Sequence, residues 1–77
     1  MNKVQLETYV QGWINKNWHA DRSDYQNTED MLMKLNRMEQ NNRGTRSREE
    51  AEKLNAIYER VQFMRELALK QIGEGGA

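Results

Sequence analysis

Residues 47–72 read SREEAEKLNAIYERVQFMRELALKQI, and this stretch decides the fold. It opens with Ser47-Arg48-Glu49-Glu50, the capping-box pattern in which a serine and a glutamate three residues on satisfy each other's backbone N–H groups. Neither proline nor glycine interrupts it before Gly73, so the pattern predicts a helix over about 48–72. At about 100° per residue, Leu54, Ile57, Tyr58, Val61, Met64, Ala68 and Ile72 share one side, an ordinary core stripe. Ala56, Phe63 and Leu67 fall on roughly the opposite side. A helix that is apolar on two sides is packed on both.

Upstream, Gly44 is placed to take the left-handed conformation that ends a helix. The helix before it covers about 28–42, with Asn27 or Thr28 as N-cap and Glu29 and Asp30 at the positive end of its dipole. Met31, Leu35 and Met38 form its apolar stripe, with Leu32 on the edge. The short connection to the third helix favours an antiparallel hairpin. A first helix is expected over about 3–18, where Leu6, Tyr9, Val10, Trp13 and Ile14 make one broad face. Residues 19–27 read as a polar loop containing Tyr25, and 73–77 as a flexible tail. The expected architecture is therefore all-α, a small three-helix bundle: an antiparallel helical hairpin plus an N-terminal amphipathic helix, one domain over 1–77.

Composition limits the function classes. The chain has 77 residues, which allows one small domain with a thin core. There is no cysteine, so disulfides, thiolate metal sites and cysteine nucleophiles are excluded, and an intracellular, cytoplasmic setting is expected. The opening residues lack the apolar run of a signal peptide, and no stretch is apolar enough for a membrane span. Twelve basic and twelve acidic residues cancel, unlike the basic excess of a dedicated nucleic-acid binder. The cancellation is uneven: residues 31–48 carry Lys34, Arg37, Arg43, Arg46 and Arg48 against Glu39, a local basic island.

Catalytic chemistry finds no arrangement to carry it. His19 has Ser23 and Asp24 nearby in sequence, but that spacing defines no nucleophile and base. A calcium loop starting at Asp21 fails at both diagnostic places, with Gln26 where glycine and Leu32 where glutamate belong. No metal site, cofactor or catalytic residue is expected.

Two candidate sites remain. Phe63 and Leu67 either pack under the first helix or meet another chain; Trp18 and Tyr25 are the aromatic side chains placed to add a contact there. Arg65 lies inside the core stripe, where it either snorkels or pairs with a carboxylate across an interface. The second candidate is the turn Arg43-Gly44-Thr45-Arg46-Ser47-Arg48, whose arginines and helix N-terminus suit phosphate or carboxylate. Solvated arginines paired with Glu49, Glu50 and Glu52 explain the same turn without a ligand.

The reading that follows is a non-catalytic protein–protein interaction module, an inhibitor or adaptor. Its partner is a second copy (a homodimer or higher oligomer) or a foreign protein, and its short, cysteine-free composition suits a phage or mobile-element product. The alternative is nucleic-acid or nucleotide binding through Arg43, Arg46, Ser47 and Arg48.

Overall fold

A computed structural model describes residues 2–41, 44 and 47–76, the last three of these for their backbone only. They form three helices: α1 Lys3–Lys16, α2 Asp24–Asn41 and α3 Arg48–Gly76. The all-α hairpin with a first helix folded across it is the architecture that the hydrophobic periodicity implies. At 1.5 Å per residue the 29 residues of α3 span about 43 Å, close to the 45 Å long dimension of the molecule. α3 is the spine; α1 and α2 both pack against it and touch each other much less.

Each helix start has a local cause. The Asn2 side chain accepts from the Gln5 N–H at 2.8 Å while the Gln5 side chain accepts from the Asn2 N–H at 3.2 Å, a capping box. At α3, the Ser47 hydroxyl accepts from the Glu50 N–H at 3.2 Å, as its pattern predicts. Gly44 has φ +89, the left-handed conformation expected of it.

The boundaries differ from expectation in three places. α1 stops at Lys16, because the backbone N–H of Asn17 bonds back to Trp13 and Ile14 and its side chain donates to the Trp13 carbonyl at 2.8 Å. α2 begins at Asp24, ahead of Thr28. Its capping pair is Ser23 with Gln26, each side chain bonded to the other's backbone N–H at 3.2 and 3.3 Å. Neither Asn27 nor Thr28 caps it. Finally, α3 does not end at Gly73 but continues to Gly76, with no positive φ at Gly73.

Asn27 is fully buried and joins α2 to the incoming chain. Its carbonyl oxygen accepts from the His19 N–H at 2.8 Å. Its amide donates to the carbonyls of His19, Ser23 and Arg22 at 2.9, 3.1 and 3.3 Å. Thr28, also fully buried, donates to the Tyr25 carbonyl at 2.7 Å. Burial without such partners costs several kcal/mol; here, among the described residues, no buried side-chain nitrogen or oxygen lacks one.

The core is Val10 and Ile14 of α1, Met31 and Leu35 of α2, and Leu54, Ile57 and Val61 of α3. Trp13, Trp18, Leu32, Ala56, Tyr58 and Met64 pack around it half-buried. Ile72 departs from the expected stripe and is 58% exposed. α2 runs antiparallel to α3 and starts beside Arg65 and Ala68, so the last turns of α3 project beyond it.

Candidate interaction surface

The third helix carries this surface because it is longer than its partners and apolar on more than one side. Seven large apolar side chains are exposed among the described residues, and four of them, Phe63, Leu67, Leu69 and Ile72, lie within ten residues of α3. Each is about half exposed. The turns that hold them are rigid helix, so the side chains are presented in fixed relation to one another.

Two hollows flank Phe63 and Leu67. α1 crosses the second face of α3 over Ala56 but leaves Phe63 open, and between them lies a groove of about 390 Å³. Leu6, Val10, Ala56 and Phe63 supply its apolar lining, with Lys3, Glu7, Glu59 and Arg60 as a mixed-charge rim. On the other flank, Leu67 borders a smaller hollow of about 200 Å³ with Trp18, Met64 and Ala68. α1 therefore covers the part of the second face around Ala56, and the part around Phe63 and Leu67 stays exposed.

The two candidate aromatics occupy different settings. Trp18 is half-buried, packed on the core and bordering the Leu67 hollow. Tyr25 sits in the first turn of α2 rather than in a loop, half-buried beneath Arg65, whose guanidinium carbon lies 5.4 Å from the ring centre. Arg65 also donates to the Tyr25 hydroxyl at 3.2 Å and to Glu29 at 2.9 Å. The sequence offered Arg65 a carboxylate across an interface; here the carboxylate belongs to α2 of the same chain. The hydrogen bond to Tyr25, then that to Glu29, raise the Arg65 pKa above its ordinary value and keep it charged. Tyr25 is thereby occupied by an internal contact.

Of the basic turn, Ser47 and Arg48 are exposed at the start of α3, the former acting as its cap. Arg43 and Arg46 lie outside the described residues. His19 is exposed, and its backbone N–H is the group held by Asn27. Among the described residues no group of three or more His, Asp or Glu side chains is placed to hold a metal ion, and no helix is long and apolar enough to cross a membrane.

Leu69 and Ile72 were missed as surface residues in the sequence. Leu69 lies off both stripes, a signal that periodicity contained. Ile72 lies on the core stripe, and its exposure depends on where α2 starts. Comparison with protein-family models, with curated proteins and with solved structures finds no match.

Proposed function

We propose that this chain is a small non-catalytic protein–protein interaction module, an inhibitor or adaptor that works in the cytoplasm by covering a partner's surface. The carrying observation is the concentration of half-exposed Phe63, Leu67, Leu69 and Ile72 along one stretch of α3. Scattered single apolar residues on a surface are ordinary, whereas Phe63 and Leu67, one turn apart on the same side of α3 and each beside an apolar hollow, make the kind of paired feature that marks an interface. Phe63 is the anchor, a large rigid side chain at the mouth of a groove into which an apolar partner residue fits. Lys3, Glu7, Glu59 and Arg60 form the polar rim that such a contact needs.

Photo-crosslinking tests this directly. Benzoylphenylalanine placed at 63 or 67 in cells producing the chain is expected to trap protein adducts, whereas the same group at exposed Arg37 on α2 traps none. Equal yields at all three positions, or no adduct at 63 and 67, would refute the assignment.

A further inference from the structure

We propose that α1 is a detachable cover on α3. It opens as one unit about a hinge at Asn17, while α2, α3 and the corner that follows Asn17 stay folded. This is a property of the free chain and does not depend on any partner.

α1 is held down by little. Val10 and Ile14 are its two buried residues, joined by half-buried Leu6 and Trp13 and by the Lys53 ammonium, 4.8 Å from the centre of the Tyr9 ring. α2 instead sends Asn27, Thr28, Met31 and Leu35 into the interior, each at most 1% exposed. Arg65 of α3 also ties it down through Glu29 and Tyr25.

Beyond its capping box, α1 has little in its own sequence to favour a helix. Its first turn has no acidic residue and opens with Lys3, a cation at the positive end of the dipole. α2 opens with Asp24, and α3 has Glu49 and Glu50 there. Gly12 stands exposed in the interior of α1, where a Cβ would meet nothing within 4 Å. It answers no close approach and only lowers helix stability. Isolated helices below about 12–15 residues are marginal in water, so the 14 residues of α1 unravel once lifted.

Asn27 sets the hinge. It holds the His19 N–H and the carbonyls of His19, Arg22 and Ser23, so the chain from His19 onward belongs with α2 whether or not α1 is in place. Opening uncovers Ala56, on the same side of α3 as Phe63 and Leu67, and the open stripe then runs from 56 to 67, about 16 Å of helix. Any contact that needs Ala56 must select the opened form, so α1 gates it.

Native-state amide exchange of the full chain tests this, in water and in urea below the unfolding midpoint. Corrected for intrinsic rates, the Val10 and Ile14 amides are expected to exchange at least ~10-fold faster than those of Leu35, Ile57 and Val61. Their urea dependence is shallower, because less surface is exposed. The His19 amide keeps with α2. Gly12→Ala is expected to slow α1 exchange about 4–5-fold through the helix propensity gained. Arg65→Met loosens α2 from α3, so it speeds exchange at Leu35, Ile57 and Val61 about 2–5-fold and leaves Val10 and Ile14 unchanged. Equal rates and equal urea slopes in all three helices would mean that α1 leaves only when the whole chain unfolds, and would overturn the cover. So would α1 exchange that is indifferent to Gly12→Ala, or sped by Arg65→Met as much as α2 and α3. A His19 amide that exchanges with Val10 and Ile14 overturns the hinge at Asn17.

Discussion

Replacing Asn27 by alanine is the sharpest test of how the corner between α1 and α2 is held. The side chain is fully buried and makes four hydrogen bonds, one from the His19 N–H and three to the carbonyls of His19, Arg22 and Ser23. Alanine leaves the part-buried His19 N–H without its partner, which costs about 1 kcal/mol or more. It also takes donors from the carbonyls and opens a small void, bringing the expected loss to about 3 kcal/mol. A domain of this length has a total stability of roughly 4–12 kcal/mol, so the variant remains folded when cold. Thermal denaturation followed at 222 nm should show the midpoint falling by about 12–24 °C, and urea titration the same loss of about 3 kcal/mol. Amide exchange gives an independent reading: the His19 N–H, protected in the wild type, exchanges in the variant as fast as its exposed neighbours. A loss below about 1 kcal/mol, or a His19 amide unprotected in the wild type, would refute the corner as described.

Three further outcomes follow from the side-chain environments. Serine at Phe63 and Leu67 together should cost about 1 kcal/mol per site, since about half of each side chain is buried, while abolishing partner adducts; a loss of about 3 kcal/mol or more per site measured by urea titration would place them in the core. Arg65→Met should lower the melting temperature by a few degrees at low salt and by less at high salt, and Arg65→Lys should recover only part, lacking the planar fork that reaches both Glu29 and Tyr25. Burial, and then the nearby Glu39 carboxylate, hold the Tyr58 pKa above its ordinary value of 10.0. The folded chain thus keeps the phenol proton where the unfolded chain loses it, and this contribution is fully present below about pH 10 and lost as pH rises through the raised value. Tyr58→Phe should flatten the alkaline decline in stability, as read from melting temperatures between about pH 8 and 11.

What could be read from the sequence was mostly what is decided locally. Ser47-x-x-Glu50 marks the start of α3 because a cap acts within one turn. The core stripe Leu54-Ile57-Val61-Ala68 is visible because helical period alone sets it. Asn27 misled for a physical reason. Its amide serves equally as a cap or as an internal tie, and only the return of the chain at His19 distinguishes them. Ser23-x-x-Gln26 was the better signal for α2, and it carries the same logic as the box at Ser47. Arg65 finds Glu29 across 36 residues of sequence, a pairing that no local pattern contains. Ile72 was assigned by period to a stripe that runs out of a neighbour to cover it. Of the candidate surface, Phe63 and Leu67 were legible as a second face, but how far α1 reaches across that face depends on its crossing of α3.

The shared spine also has a consequence for how the chain comes to be folded. α1 and α2 both rest on α3 and little on each other, yet α3 is the last of the three to be synthesised. While its 29 residues are being added, at about 5–20 residues per second, the two earlier helices have almost nothing to pack against. Folding from the N-terminus inward is therefore closed to this chain. For those few seconds Met31, Leu35, Val10 and Ile14 stand uncovered, and the order of synthesis makes the nascent segment 1–47 the form that most needs shielding from aggregation.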